Sequence, residues 1–473
     1  MMRVPLLSTL LLSLLACEEA GLMGDDGGSG TTDASRDVGG RDMAVSDAEP
    51  ASDLSGPDLG ALPMGRLAVL RAGEELVEGS SLAIGRILIG SPGASFRLDL
   101  VNLGTGPLQV DAPEIVGSAS SDYTVEPVSP VALASTSSRA YSVRFQPTAS
   151  STRSAELRFR SDDPGQPLFR VSLEGVGVSR DELPSDTNGN WEDEEVTIYD
   201  TREARIIVRV GDIDNLGFGW PRGFDPFSGQ DTPRHSFPWT PESTDPPATD
   251  RIMVVSSYDG SPPAGRDGYT ATTRRPDNLP APITLRFDLR GSLPYSAVLQ
   301  LFVDDFQAPV WRANYQALLD GERWPLLEDV LNTLVQTGPI GKLITVPLAP
   351  EQLSALDDGI LELFVDDPAT GAGDGFAFDF AKLFIDVYGF SNLGSIEGTV
   401  TDESTGLPIV DATVSASGLV SVQTDGVGRY SSPDVPAGFV YLRVTKDGYQ
   451  PTEEVLDLRA GASVTRDLVL APE

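Results

Sequence analysis

The residues best equipped for chemistry are carboxylates in short-range groups. Asp186, Asn188, Asn190 and Glu192 alternate about Gly189, with Asp193 and Glu194 following; Asp212 and Asp214 come directly after the strand-like Val208 and Val210. Asp366, Asp367 and Asp374 share the glycine-rich loop DDPATGAGDG, with Asp379 just beyond it. Oxygen ligands on tight glycine turns suit Ca²⁺, which takes ~6 to 8 of them. Crowded carboxylates without a cation repel and shift one another's pKa, so a bound ion is the economical resolution. The expected Ca²⁺ ligands are therefore Asp186, Asn188, Asn190, Glu192, Asp212, Asp214, Asp366, Asp367 and Asp374. The competing reading makes them a solvated acidic linker and turn caps at strand ends. Neighbours in a strand face opposite ways, so only one of Asp304 and Asp305 is expected to point inward.

A second group is aromatic. Phe218, Trp220, Phe224, Phe227, Phe237 and Trp239 are interleaved with Gly and Pro between two strand-like runs. Trp220, Phe224, Phe227 and Trp239 are the candidate ligand-binding residues, as a stacking platform for a sugar or peptide; the alternative is a mini-core within the loop. His235 is the sole histidine, which excludes the usual multi-His zinc sites and leaves it a structural role. GxSxG, HExxH and phosphate-binding glycine motifs are absent from the sequence. A glycosidase needs only two carboxylates, but nothing singles out a pair. The chain is thus read as non-catalytic, with an extracellular polysaccharide hydrolase the weakest alternative.

The formal net charge of -36 makes nucleic acid a poor partner, since such binding rests on neutralising phosphates with Lys and Arg. A single cysteine rules out internal disulfides. The length of 473 residues suggests roughly two to four domains, and 48 Gly with 37 Pro favour short strands joined by turns. The fold class expected is all-β, a chain of β-sandwiches after a disordered tether. Residues 1–17 have a basic start at Arg3 and an apolar run too short to span a bilayer, a secretory signal. Residues 18–64 are rich in Asp, Gly and Ser with almost no aromatic side chain, and are read as a disordered acidic linker. Alternating strands fill 65–179, an acidic hinge spans 180–195, a central domain occupies 196–391 and a last domain 394–473. Within the central domain a helix is expected over 324–338.

Four stretches resemble known families. Leu14-Leu15-Ala16-Cys17 resembles the bacterial lipobox, which implies a lipidated Cys17 and a membrane partner through that anchor; an ordinary signal peptide is the alternative. Glu18 and Glu19 after it lean towards an outer-membrane or cell-surface location. VNLGTGPLQV, VRFQPT, LRFRSDDP and VSLEGVGV together resemble the abnormal-spindle and hydin-type (choice-of-anchor D-like) Ig-like domains, which implies a spacer or interaction module. The segment from Asp186 resembles the DxNxNGxxDxxE calcium loops of bacterial surface proteins, with Asn190 in place of the usual aspartate. GTVTD, GLPIVDATV, TDGVGRY with Gly428 and Tyr430, VPAG and KDGY resemble the carboxypeptidase regulatory-like, transthyretin-like domain, itself non-catalytic. The central domain is only loosely similar to carbohydrate-binding jelly rolls. The leading expectation is a calcium-stabilised adhesion or carbohydrate-binding surface lipoprotein with glycans or envelope proteins as partners. A structural envelope scaffold is the alternative.

Overall fold

The computed structural model describes residues 64–235, 243–253, 279–337, 340–368 and 375–473. Cys17, Phe237, Trp239 and Asp374 lie outside them, as do the signal and tether. The described chain is all-β, with three successive hydrophobic cores.

The first core lies between two sheets. In Ala94–Asn102 alternate side chains are buried, so Phe96, Leu98 and Leu100 meet Tyr141, Val143 and Phe145 inside while their neighbours face water. One sheet runs Glu74–Glu75, Leu67–Arg71, Ala94–Asn102, Ser138–Phe145, Tyr123–Glu126; the other runs Ser81–Leu88, Leu168–Val178, Ser151–Arg160, Glu114–Val116. Buried Asn102 fixes the NLGTG turn, its side chain donating to the Gly106 and Leu133 carbonyls and accepting from the Gly104 amide. The two half-buried sheets expected from the alternation are present.

The middle core is built differently. A four-stranded sheet of Ile283–Arg286, Ile360–Asp366, Gln316–Leu319 and Glu322–Arg323 packs on one face of a larger sheet containing Glu195–Tyr199, Ala204–Val210, Phe376–Val387, Ala297–Asp304 and Lys342–Pro347. The strands Ala204–Val210 and Ala297–Asp304 are buried along their whole length, because the segment from Trp191 to Phe227 covers the second face. There Ile213 and Phe227 pack with Phe302, Leu343 and Phe380. The helix is Pro325–Thr333, burying Leu327, Val330 and Leu331. It stops before the expected Gly338 because Gln336 is drawn aside: its side chain accepts from the Phe306 amide and donates to the Val303 and Ile340 carbonyls.

The last core, with Ile396, Val400, Val414, Tyr430, Val444 and Leu468, is a sandwich. The final stretch 463–470 holds two short strands, Ser463–Thr465 and Leu468–Leu470. The middle and last domains are not separate beads. Ile344 pairs with Phe439 in parallel, so one ten-stranded sheet crosses the boundary, and Phe439 and Tyr441 enter the middle core. At the seam Lys342 Nζ lies 2.9 Å from both carboxylate oxygens of Asp231 and 2.7 Å from Asp457.

Candidate metal centre

The site forms where one edge of Phe376–Val387 changes partner. Residues 381–387 pair with Ala204–Val210, whereas 376–378 pair with Arg251–Met253. On the opposite edge Phe302 faces Phe380 but Val303 faces Phe378, leaving Asp379 as one extra residue, a β-bulge. A bulge re-aims a side chain. Here it also changes the phase of the strand. Phe376 and Phe378 join Ala381, Leu383 and Ile385 in the middle core, while Phe380 turns to the second face.

Into the gap come Asp212 and Asp214, from the loop after Ala204–Val210, and Asp250, whose amide donates to the Phe378 carbonyl at 2.7 Å. Asp212, Asp214, Asp250 and Asp379 each offer an oxygen, all within 4.8 Å of one another. A shell of oxygens at ~2.4 Å from a central Ca²⁺ spans about that distance across its diameter. Asp250 and Asp379 are buried; Asp379 Oδ2 and Asn215 Oδ1 have no hydrogen-bond partner among the described residues, and the Asp250 and Asp212 carboxyls face each other. Buried acceptors are normally satisfied, so these mark the place of a missing donor or cation. Burial, then the neighbouring carboxylates, pushes the Asp250 and Asp379 carboxyls well above the usual range. Burial with Asp212 and Asp245 beside it raises Glu194 to about 7.

The loop is shaped for this convergence. Gly211 has φ +87°, and a Cβ there would stand 2.3 Å from the Asp379 carbonyl oxygen. Asn215 and Leu216 are left-handed as well, which turns the Leu216 amide onto Asp379 Oδ1 at 2.7 Å and the Gly217 amide onto Asp214 Oδ1 at 2.7 Å. Behind it buried Arg209 donates to the Gly211 and Asn190 carbonyls. The arrangement can hold a hard divalent cation through oxygen and tie loop 211–219 to the sheet.

The other expected ligands are elsewhere. The position that a cation would take between Asp186 and Asn188 is filled by the Lys382 ammonium, in contact with both side chains. The Asn190 side chain donates to Asp193 and Glu192 is exposed. Asp366 ends its strand of the smaller sheet opposite Gln316, and Asp367, just past that strand, accepts from the Asn314 amide at 3.0 Å; neither belongs to the four-carboxylate cluster. Asp304 and Asp305 are both buried, against the alternation argument, because Asp305 takes φ +61° and leaves the strand. Asp304 pairs with His235 Nε2 at 2.5 Å, and the His235 ring lies 4.1 Å from that of Phe218. Of the aromatics, Phe227 is buried against Phe380 and so faces the sheet rather than a ligand. Trp220 and Phe224 are half-buried and stacked at 4.9 Å, with Trp220 Nε1 donating to the Ile213 carbonyl between the two aspartates.

No curated protein matches the chain. Among solved structures, PapD-like domain 7 of human CEP192 is 15% identical with TM-score 0.19, spanning 29% of this chain and 99% of that one. An Acetivibrio cellulolyticus type II cohesin-X-dockerin complex mutant is 25% identical with TM-score 0.15, spanning 16% of this chain and 56% of that one. The 5-hydroxyisourate hydrolase of Klebsiella pneumoniae is 20% identical with TM-score 0.15, spanning 17% and 92%. At the C-terminus the Asp425 carboxylate closes the TDGVGRY turn on the Val427 and Arg429 amides, and Tyr430 donates to the Arg466 carbonyl at 2.7 Å. Residues 395–471, which contain these contacts, match the family model of the carboxypeptidase regulatory-like domain.

Proposed function

We propose that the chain is a non-catalytic, lipid-anchored cell-surface protein whose middle domain is pinned by one Ca²⁺ ion, and that it serves adhesion or carbohydrate binding. The observation that carries the reading is the convergence of Asp212, Asp214, Asp250 and Asp379 with buried, unpartnered oxygens among them. The ion would neutralise carboxylates that otherwise repel in a poorly solvated gap. In doing so it would fix loop 211–219, on which Trp220 and Phe224 form a half-exposed stacked pair beside the site. A rigid aromatic pair is the usual means of stacking on a sugar face. Cys17 in its lipobox-like setting supplies the anchor in this reading.

The first experiment is thermal unfolding with EGTA and with millimolar Ca²⁺, followed by glycan binding in calcium with Trp220→Ala as the control. A rise in melting temperature with Ca²⁺ is expected, as is glycan binding that the variant loses while its own melt still rises with Ca²⁺. An unchanged melt removes the cation from the reading. A second reading, an envelope scaffold, is favoured by the sheet that joins the middle and last domains through Ile344 and Phe439; a calcium-raised melt without any glycan binding would select it.

A further inference from the structure

Beneath the aromatic loop, on the second face of the large sheet, lies a chemical group that the cation site does not use. Lys382 is buried, 2% exposed at its side chain, between the Phe227 ring at 5.1 Å and the Phe384 ring at 4.9 Å. Its Nζ touches Asp186 Oδ2 and Asn188 Oδ1 together. Asp186 also reaches the second partner, since its Oδ1 accepts from the Asn188 amide at 2.8 Å. Asp186 is placed in turn by Glu203, which accepts its amide at 2.8 Å. Asn188 is held at φ +60°, and the adjoining Gly189 passes so close to Val196 that a Cβ would meet it at 2.6 Å. A cavity of about 70 Å³ adjoins these groups.

We propose that Lys382 and Asn188 are joined by an intramolecular isopeptide bond, formed by the chain itself with Asp186 as the proton-transfer group. Burial disfavours the ammonium form and lowers the Lys382 pKa, with Asp186 opposing; a desolvated amine held at the amide oxygen of Asn188 stands next to the acyl carbon it would attack, which is the placement an activated nucleophile needs. Asp186 takes a proton from the ammonium, and the freed Nζ lone pair attacks Asn188 Cγ. Asp186 then relays protons to the departing amide nitrogen. The Nζ–Cγ bond forms and the Cγ–Nδ2 bond breaks. Nζ gives up two protons, both of which leave with that nitrogen as ammonium, and Asp186 returns to carboxylate. No oxidant or co-reactant is needed, and the cavity gives the small leaving group a way out. The bond would close a ring between positions 194 residues apart and fasten the hinge to the sheet covalently. It does not rest on the cation site.

The test is protease digestion of the denatured full-length protein followed by mass spectrometry. The expected product is one branched peptide joining the segment with Asn188 to the segment with Lys382, lighter than the two together by one ammonia and missing from Asn188→Ala. Two unlinked peptides would overturn the proposal. A branch at Asp186 with loss of water would also overturn it, by moving the acyl group to the wrong residue. Because the decisive reading is on the unmutated chain, it stands whether or not the variant folds.

Discussion

Replacing Asp379 by Asn separates a cation ligand from a turn cap. Asp379 Oδ1 accepts the Leu216 amide at 2.7 Å, and an asparagine carbonyl oxygen can keep that bond while the negative charge is lost. Two ionised carboxylates ~4.8 Å apart repel by about 3 kcal/mol at an effective dielectric of ~20, and burial already drives Asp250 and Asp379 towards protonation. In EGTA, Asp379→Asn should therefore unfold at the wild-type temperature or above it. In Ca²⁺ at about a hundred times its dissociation constant the wild type gains ~2.7 kcal/mol. For a domain of this size that is roughly 5 to 10 °C, at ~2 to 4 °C per kcal/mol. The variant, lacking one of four charged ligands, should gain less than half as much, so the order of stability reverses between the two buffers. Differential scanning fluorimetry in EGTA and in calcium reads this directly. Equal destabilisation of Asp379→Asn in both buffers would refute the reasoning, because a structural acceptor loses the same energy whether or not calcium is present.

The pH dependence follows from the raised carboxyls. Their folded-state pKa lies above the unfolded value, with Glu194 at about 7, so their contribution is fully present below the unfolded pKa and lost as pH rises through the folded one; in EGTA the melting temperature should fall between about pH 5 and 8, and a melt that climbed over that range would contradict the assignment. Calcium prefers the deprotonated carboxylates, so its stabilising increment should grow over the same window. Gly211→Ala, with φ +87° and a Cβ 2.3 Å from a carbonyl oxygen, should cost about 2 kcal/mol or more in chemical denaturation, whereas Gly426→Ala, in open space, should change stability by less than ~0.5 kcal/mol. Lys342→Met removes the buried ammonium shared by Asp231 and Asp457. Its partners are half-exposed, so a cost of about 1 to 2 kcal/mol is expected, and calorimetry should show the last domain unfolding apart from the middle one.

Half of the carboxylate cluster was legible in the sequence. Asp212 and Asp214 follow a strand and sit on glycine turns, which is a local signal. Asp379 stands in FAFDFAKLF, where strict alternation would put Phe376, Phe378 and Phe380 on one face; the bulge that re-aims it is a property of pairing with Ala297–Asp304. Asp250 is delivered by pairing across more than a hundred residues, and no motif announces it. The three cores were legible from alternation and turn residues because most of their strands pair antiparallel across short turns. The shared sheet was not, since a single parallel contact at Ile344 and Phe439 leaves no periodic trace. Lys382 looks like a solvent-facing residue of a two-layer sandwich. It is buried because the second face is covered by a segment that sequence reasoning placed in a hinge and a loop.

That covered face explains why so much charge is gathered there. Arg209 and Lys382 are register partners on adjacent strands, both buried, and each would be costly alone in a dry environment. Arg209 is surrounded by the Gly211 and Asn190 carbonyls, and Lys382 by Asp186 and Asn188, so the hinge is stitched to the sheet at two points. The loop with the carboxylate cluster is tied at a third point beside them, where the Gly211 and Ile213 amides donate to the Glu194 and Trp191 carbonyls at 2.9 Å. If the proposed ion is bound, removing it would leave four carboxylates beside the Arg209 guanidinium, and the loop that carries Trp220 would then have its amide contacts but not its charge balance. Chelation should therefore loosen residues 211–220 first, while an Asn188–Lys382 bond would keep the hinge in place. Hydrogen exchange in EGTA distinguishes the two layers: amides of 211–219 should lose protection and those of 195–199 should keep it, and simultaneous loss from both would show that the segments are held by one device rather than two.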